Sequence, residues 1–551
     1  MPRTVVVVGA GISGLAAALH LTRAAAAPKV FLLEASDRTG GWLQTTRTED
    51  GAIFEHGPRG VRPAGAMGKN TLQLVSELAL DTDVIPVTYS NNASKNRYLF
   101  VGGQLCKLPS NIRSTFYRLP PFSQPLAYSL AREPFVTRGK ETDESVHHFC
   151  TRRFGEEMAI YAVDSLCRGV FAGDSRKLSA RSCFPAQFQA ERSFGSVILG
   201  MLAGVGVTKW DGEHTGLMDR AQREGWTQWT LKGGMQTLPE AMEATLRKRG
   251  VEIHLHTPVT HLQPTEDGAC QVLMDGGSLT ADHVFSSVPA RVLSSLLPPV
   301  WQPLAKTLKA IGSVSVAVVN MEYEGLVLPV SGFGHLVPSG ECSEILGVVY
   351  DSCSFPQQDQ SGSQTTRLTV MMGGSWFTEA FGDPWSVAED QLLQRAVQAV
   401  QEQLGIVAQP LRTIVRVQQD CIPQYEIGHW KLLGLISLQP CLRYPNNIIV
   451  THSHLGFKLM ALFLTLRAFR YRIFNPFLLS LFESLPIVLN PAPRTPIGLC
   501  APRILLSFLN LLILSTHLTP CRIFVGGDKN YKSEKTSWES SIGFQIAKMW
   551  R

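Results

Sequence analysis

The first forty residues have the pattern of a strand, a glycine-rich turn, a helix and a second strand. Thr4–Val8 is an unbroken β-branched run, which is typical of a strand buried on both faces of a parallel sheet. Gly9–Gly14 follows directly, and Leu15–Ala25 is alanine-rich with helical periodicity. Val30–Leu33 is a second apolar run, and Glu34 ends it. Because parallel strands need a crossover helix, this unit predicts an α/β chain with a Rossmann-like domain.

The glycine-rich turn predicts a dinucleotide site. Gly9 permits the tight turn, Gly11 lets the backbone approach a pyrophosphate, and Gly14 lets the helix pack on the strand. The helix N-terminus offers N–H groups and a partial positive charge to phosphates. Glu34 is the expected acceptor for ribose hydroxyls. The alternative, a flexible glycine turn, leaves the flanking strands and the acidic residue unexplained.

The residues after Glu34 favour FAD over NAD. The second strand continues into an Arg-x-Gly-Gly turn with Arg38, Gly41 and Trp42. This turn resembles the second signature of the flavin amine-oxidase superfamily, in which the arginine and glycines line the flavin pyrophosphate and ribityl chain. The alternative is a surface turn rich in glycine and aspartate.

A third glycine-containing loop comes next, as Gly57-Pro58-Arg59-Gly60 after a short strand at Phe54. Such a turn lets the backbone approach a planar ring while a guanidinium is held nearby. We expect a flavin-adjacent loop in which Arg59 faces the flavin or an anionic group of the substrate. The alternative is a tight turn with a solvated arginine.

With His-Gly-Pro-Arg-Gly-Val-Arg-Pro after the two flavin motifs, the chain resembles the protoporphyrinogen oxidase family, which are flavoenzymes of haem biosynthesis. The likeness runs from Met1 to about Trp430. Four later segments are similar to the same family: Asn96–Val101, Asp164–Gly173, Ser331–Pro338 and Cys421–Tyr425.

The resemblance implies a reaction and a location. The reaction is oxidation of protoporphyrinogen IX to protoporphyrin IX by FAD, with oxygen as acceptor and hydrogen peroxide released. The location is the mitochondrial inner membrane, bound peripherally as a homodimer. We expect no cleavable presequence, because Met1-Pro2-Arg3 leads straight into the first strand. No clean apolar stretch reaches the about 18 residues of a membrane span.

The expected cofactor and substrate residues follow from the motifs and the resemblance together. Those expected to hold FAD are Gly9, Ala10, Gly11, Ile12, Ser13, Gly14, Glu34, Ala35, Arg38, Gly41, Trp42, Gly57, Pro58, Arg59, Gly60 and Val259. The substrate is an apolar macrocycle carrying propionates, so its site needs apolar walls and one or two cations. The residues expected there are Arg59, Arg97, Leu166, Gly169, Phe333, Leu336, Val349 and Met371.

Alternatives stay open for several of these residues. From the sequence alone, core packing explains the apolar ones, and Arg97 could be a surface arginine on a strand edge. No acid–base residue and no metal site is assigned, because the flavin carries the hydride chemistry.

We expect four regions. Residues 1–90 with 232–300 form a discontinuous FAD-binding domain, and 301–430 form a substrate-binding region with a mixed or antiparallel sheet. Residues 91–210 are a helical insertion, which is either ordinary core or, as the resemblance implies, a membrane-docking and channel-lining segment. Charged residues make up only 17% of the chain, against about 25% in typical domains, which favours apolar exposed surface.

Residues 431–551 are an atypical, irregular tail rich in leucine and proline. They hold 14 basic and 4 acidic residues, a net of +10, while the rest of the chain has a net of −4. The basicity is therefore local, and nucleic acid is not an expected partner. The tail lacks the family's glycine-rich segment Leu-Ala-Gly-x-x-x-x-Gly-x-x-Val, which lies on the flavin ring. We therefore expect weak FAD retention and low activity.

Two other functions remain open. One is a different flavin oxidase, acting on amines. The other is a non-catalytic variant that pairs with a complete subunit.

Overall fold

The protein is described from a computed structural model, which covers residues 3–23, 27–208, 210, 212–443 and 448–450; for 437–443 and 448–450 only the backbone is considered. Most of the predicted tail, including the position of any flavin-covering segment, lies outside the described residues. The strands are β1 Thr4–Val8, β2 Lys29–Leu33, β3 Thr45–Arg47, β4 Ile53–Glu55, β5 Val84–Thr88, β6 Tyr98–Val101, β7 Gln104–Lys107, β8 Trp226–Leu231, β9 Glu252–His254, β10 Val259–Pro264, β11 Cys270–Met274, β12 Gly277–Ala281, β13 His283–Ser286, β14 Ser313–Glu324, β15 Gly334–Leu336, β16 Ile345–Val349, β17 Thr365–Gly374, β18 Arg412–Pro423 and β19 Ile448–Val450.

The helices lie between and over these strands. They are α1 Ile12–Leu21, α2 Gly65–Glu77, α3 Asn92–Lys95, α4 Leu126–Arg132, α5 Val146–Phe154, α6 Asp164–Phe171, α7 Ala180–Cys183, α8 Pro185–Phe194, α9 Val197–Leu202, α10 Gly216–Glu224, α11 Thr237–Lys248, α12 Ala290–Leu296, α13 Gln302–Lys309, α14 Asp351–Ser354, α15 Phe377–Phe381, α16 Glu389–Leu404 and α17 His429–Arg443. A π-helix, Met158–Val163, joins α5 to α6.

The nucleotide-binding sheet has the order β19-β13-β1-β2-β9, and all of its described pairings are parallel. Its centre is β1, whose valines are buried because helices cover both faces of the sheet. The Rossmann-like prediction is confirmed. Strands β9 and β13 join this sheet from about 250 residues downstream of β1 and β2.

The second large sheet has the order β18-β14-β17-β16-β15-β6-β7. Its pairings are antiparallel except for the parallel pair β15–β6, so the sheet is mixed, as predicted. The β6–β7 hairpin comes from the segment assigned to the helical insertion, yet it extends the edge of this sheet. Helix α16 packs on one face and buries Val319, Val348 and Val370.

The helical insertion has its own core, built from α4 to α9 around Phe149, Phe154 and Phe188. It is fastened to the mixed sheet by Arg168 of α6, whose Nη2 donates to the carbonyl oxygens of Cys342 and Ile345 at 2.8 and 2.7 Å. None of the described helices is long and apolar enough to cross a membrane. The insertion thus rests on the sheet that carries the predicted substrate residues.

Candidate flavin and substrate site

The first glycine turn connects β1 to α1. Gly9 has φ +95°, in the region that favours glycine, and a Cβ on Gly14 would lie 1.9 Å from the Gly9 oxygen. Ser287 ties the turn to the end of β13, because its Oγ donates to the Gly9 oxygen at 2.8 Å. Helix α1 begins at Ile12 after Gly11, with no side chain capping its first turn. The end of this helix fits a diphosphate.

Glu34 faces this turn from the end of β2. Its Oε2 accepts the Ala10 N–H at 2.7 Å, and its Oε1 accepts from Ser36 N at 2.9 Å and Ser36 Oγ at 2.8 Å. The Ala10 N–H is therefore already engaged, and the groups that remain for a diphosphate come from Gly11 onward. A carboxylate has about four lone-pair sites, so Glu34 can still accept from a ribose hydroxyl.

The Arg-x-Gly-Gly turn packs directly on the first glycine turn. The Gly40 N–H donates to the Ala10 oxygen at 2.9 Å, and a Cβ on Gly41 would lie 3.2 Å from the Gly11 Cα. Arg38 does not point away from the turn: its guanidinium donates to the carbonyl oxygens of Gly41 and Leu43 at 2.5 and 3.2 Å. Partial burial lowers the Arg38 pKa. Arg38 therefore fixes the shape of the turn.

The other predicted residues of this region lie around these turns. Ala35 is exposed beyond Glu34, and Trp42 has 42% of its surface exposed. The Thr257 N–H donates to the backbone carbonyl oxygen of Glu34 at 2.8 Å. This hydrogen bond places the segment that leads to Val259 beside Glu34, the predicted ribose acceptor. The two turns, with Ser13 on the first turn of α1, form a cradle with the chemistry that FAD requires.

The Gly57–Gly60 loop runs from β4 across the edge of this cradle. A Cβ on Gly57 would lie 2.1 Å from the Trp42 carbonyl oxygen, so the loop packs closely against the Arg-x-Gly-Gly turn. After Pro58 and Gly60, Val61 exchanges two backbone hydrogen bonds of 2.8 Å with Trp229. Arg59 Nη1 donates to Asp351 Oδ1 at 2.6 Å, and both side chains have 11% of their surface exposed. The solvated-arginine alternative is wrong, because a distant carboxylate holds Arg59.

Arg97 lies over the ring of Phe333, with its guanidinium carbon 5.3 Å from the ring centre. Burial lowers the Arg97 pKa to about 10. Burial, followed by the charge of Arg97, lowers the Arg62 pKa to about 9. Arg62 therefore lies within electrostatic reach of Arg97, whereas the motifs predict Arg59 as the second cation. The Val61-Arg62-Pro63 segment, directly after the loop, is the sequence feature that could have pointed to Arg62 as a cation of the site.

The predicted apolar residues share one face of the mixed sheet. Leu336 and Met371 are both paired with Gly347, and Val349 is paired with Thr369. Directly paired residues project to the same side, so Leu336, Val349 and Met371 lie on one face. All three are half-buried, while Val348 and Val370 between them are fully buried on the opposite face.

Helix α6 packs against this face. A Cβ on Gly169 would lie 2.7 Å from Leu336 Cδ2, which brings Gly169 against the strand. Leu166 is half-buried on the same helix. The structure thus brings the predicted substrate residues of the sheet and of the insertion together at one surface.

Two buried titratable residues beside the loop were missed. Burial raises the pKa of Glu55 to about 7, although Met235 N and Thr45 Oγ1 donate to its carboxylate. Burial lowers the pKa of His56 to about 4. The sequence gives little indication of either residue, because Glu55 ends the short strand β4, His56 follows it, and their hydrogen-bond partners come from distant segments.

Comparison with known proteins agrees with this geometry. The model of the flavin containing amine oxidoreductase family matches residues 12–443. Protoporphyrinogen oxidase of Homo sapiens is 51% identical over 433 residues, covering 79% of this chain and 90% of that protein. Protoporphyrinogen oxidase of Schizosaccharomyces pombe is 29% identical over 454 residues, covering 77% of this chain and 89% of that protein. A solved structure from Exiguobacterium sp. 255-15 shares the fold, with a TM-score of 0.68 at 22% identity, covering 86% and 98% of the two chains.

The family match ends at residue 443, a short distance beyond Trp430. The resemblance stated from the motifs is confirmed, and the later part of the tail lies outside the match. The chain belongs to the flavin containing amine oxidoreductase family, as a homologue of protoporphyrinogen oxidases, with FAD as its cofactor.

Proposed function

We propose that this chain is an FAD-dependent oxidase that converts protoporphyrinogen IX to protoporphyrin IX in haem biosynthesis. The observation that carries the proposal is the 51% identity with human protoporphyrinogen oxidase across 90% of that protein. The cradle formed by the two glycine turns and the Arg59 loop supports it. The chemistry that FAD would supply when bound is acceptance of a hydride and a proton from the substrate, with both electrons and both protons then going to oxygen to give hydrogen peroxide.

The residues around the cradle divide the binding of FAD among them. The helix end after Gly11 would hold the diphosphate, and Glu34 would accept from the ribose near the adenine. Val259 would contact the adenine, and the 38–42 turn would support the diphosphate and ribityl chain. The 57–60 loop would contact the flavin ring. These assignments rest on the chemistry of each group and on the positions described above.

The substrate would lie against the half-buried face formed by Leu336, Val349 and Met371. Its propionates would pair with Arg97, and Arg62 adds a second positive charge beside it. The apolar face orients the macrocycle and excludes water from it. No side chain is assigned as acid or base, because the hydride leaves to the cofactor.

We further propose that the protein binds peripherally to the mitochondrial inner membrane, as a homodimer. Large apolar side chains are exposed on the helical insertion: Phe116, Tyr117, Tyr128, Phe135, Phe194 and Leu199. Phe135 has 88% of its surface exposed. An apolar surface of this kind suits contact with a bilayer interface.

The atypical tail bears on how well the chain holds its cofactor. Without the family's glycine-rich segment, we expect several backbone donors to the flavin ring to be missing. Each such hydrogen bond would contribute about 0.5–1.5 kcal/mol to the free energy of FAD binding. We expect the purified chain to retain little flavin. A spectral titration with FAD, followed by fluorescence detection of porphyrin formation, tests this. Tight stoichiometric flavin with full activity would contradict the expectation about the tail, and a chain that never binds FAD would contradict the oxidase proposal.

A second function is favoured by the same tail. A chain that folds but holds FAD poorly could pair with a complete subunit. Co-purification of this chain as apoprotein with a full-length homologue would support this function, and separate elution of the two chains would exclude it.

A further inference from the structure

A continuous chain of buried hydrogen bonds connects the Arg59 loop to the mixed sheet. Arg59 Nη1 donates to Asp351 Oδ1 at 2.6 Å, and Thr369 Oγ1 donates to Asp351 Oδ2 at 2.7 Å. Asn320 Nδ2 donates to Thr369 Oγ1 at 2.8 Å, and His56 Nδ1 lies 3.1 Å from Asn320 Oδ1. We call these five residues the Arg59 relay.

The direction of every donor in the relay is determined. Asn320 Nδ2 also donates to the backbone carbonyl oxygen of Glu55 at 3.1 Å. The Asn320 amide nitrogen therefore faces Thr369, and its oxygen faces His56. His56 must then carry its hydrogen on Nδ1 and accept at Nε2, where Thr46 Oγ1 lies at 2.7 Å. The lowered pKa of His56 agrees with this neutral form. Because Asn320 occupies the acceptor side of the Thr369 hydroxyl, that hydroxyl donates to Asp351.

Asp351 therefore accepts a hydrogen bond on each of its two oxygens, one from Arg59 and one from Thr369. The ion pair occupies Nη1 of Arg59. Nη2 is also buried, and among the residues that the structure describes none accepts a hydrogen bond from it. A buried guanidinium nitrogen without an acceptor is costly, so its presence here points to a ligand oxygen.

The position of the loop decides which ligand this is. At Gly57 the loop packs closely against the Trp42 carbonyl oxygen of the Arg-x-Gly-Gly turn. Thr369 and Asn320 lie on the sheet face that also carries Val349 and Met371, but they are fully buried, whereas those two are half-buried. The relay thus lies in the fully buried part of the face that carries Val349 and Met371, and it ends at the Gly57–Gly60 loop.

We propose that Asp351, Thr369 and Asn320 are positioning residues, which hold Arg59 so that its Nη2 donates to an oxygen of the bound flavin. This inference rests on the proposed FAD-dependent function. The three residues would influence FAD affinity although they lie in or beside the mixed sheet, far along the chain from the glycine turns. Flavin binding would therefore depend on the correct packing of that sheet.

The test compares FAD dissociation constants, measured by flavin fluorescence, for the parent chain and matched variants. In Asp351→Asn an amide nitrogen must face either Arg59 or the Thr369 hydroxyl, both of which donate, so we expect FAD affinity to fall by about ten-fold or more. Thr369→Val should weaken binding in the same direction, and Thr369→Ser should restore it. Asp359→Asn breaks the neighbouring pair with Arg367, whose described hydrogen bonds go to Asp359, Ile53 and Phe355, and it should lower FAD affinity much less than Asp351→Asn.

Two results would overturn the inference. One is an unchanged FAD affinity in both Asp351→Asn and Thr369→Val. The other is a rise in the substrate KM of these variants at constant FAD affinity, which would assign Arg59 Nη2 to the substrate.

A ligand-free measurement separates this inference from the proposed function. If the parent chain binds no FAD, the cofactor proposal fails for this chain, and the relay is judged by phenylglyoxal labelling of Arg59 followed by mass spectrometry. Several-fold faster labelling in Asp351→Asn supports the relay, because the freed guanidinium becomes reactive. Equal labelling rates overturn it.

Discussion

Two glycines of the first turn, Gly11 and Gly14, are needed for different reasons. A Cβ on Gly14 would lie 1.9 Å from the Gly9 oxygen, whereas a Cβ on Gly11 would have only the Gly41 Cα, 4.0 Å away, among its described neighbours. Gly14→Ala should therefore prevent folding. Gly11→Ala should fold normally, because Gly11 has φ −63°, but its methyl group would occupy the diphosphate position and weaken FAD binding by about ten-fold.

Circular dichroism and FAD titration of both variants check this pair of outcomes. A stable, soluble Gly14→Ala protein, or parental FAD affinity in Gly11→Ala, would contradict it.

Glu55 gives a pH dependence of stability with a definite sign. Its pKa in the folded protein is about 7, raised by burial from 4.5, so the folded state binds a proton more tightly than the unfolded state. Stability from this group is therefore lost as pH rises from 4.5 to about 7. In Glu55→Gln the amide can accept from Met235 N and donate to Thr45 Oγ1, so the variant should be more stable than the parent at pH 8.

Urea unfolding at pH 5 and pH 8 measures the effect. His56 acts in the opposite direction, because its lowered pKa adds stability as pH rises through about 4 to 6.5. The comparison is therefore the difference between variant and parent at each pH. A difference that does not change with pH would refute the assignment to Glu55.

At the scale of elements, the helical insertion depends on a buried carboxylate. Glu133 accepts from Arg153 Nε at 2.7 Å and from the backbone of Val197 at 2.8 Å at the start of α9. Glu133 and Arg153 are both fully buried. Glu133→Gln should destabilise the protein by up to about 3–5 kcal/mol, because the buried Arg153 guanidinium loses its main carboxylate and keeps only Glu191 Oε1, at 3.5 Å.

The exposed pair Lys29–Glu252 is the matched control. Both of its side chains are about half exposed, so Glu252→Gln should change the stability far less than Glu133→Gln. Chemical denaturation of both variants measures the contrast. Similar losses in the free energy of unfolding of the two variants would show that the Glu133–Arg153 pair contributes no more to stability than a surface pair.

The exposed apolar side chains of the insertion allow a test of membrane docking. Phe135→Ser combined with Tyr117→Ser should reduce binding to vesicles of cardiolipin and phosphatidylcholine, because the two residues expose 88% and 67% of their surfaces. Trp385→Ser is the control, since Trp385 is 70% exposed but lies outside the insertion. Flotation assays compare the variants. An equal loss for Trp385→Ser would argue against docking through the insertion.

For the whole molecule, the sequence predicted what depends on neighbouring residues and missed what depends on distant ones. The β1–turn–α1–β2 unit was predictable because its strands, glycines and acid are adjacent in the chain. The partner of Arg59 was not, since Asp351 lies 292 residues away and nothing near Arg59 indicates it. The pairing of β6 with β15 was missed for the same reason, and it moved a hairpin from the helical insertion to the mixed sheet.

The described part of the tail has one consequence beyond cofactor retention. Residues Ile448–Val450 pair with Val284–Ser286 of β13 and form, among the described strands, the outermost strand of the nucleotide-binding sheet. Without them, an apolar strand would present its free backbone N–H and C=O groups to other chains, which is a common start of aggregation. Shortening the protein before residue 448 should therefore reduce its solubility, whatever the effect on its enzymology.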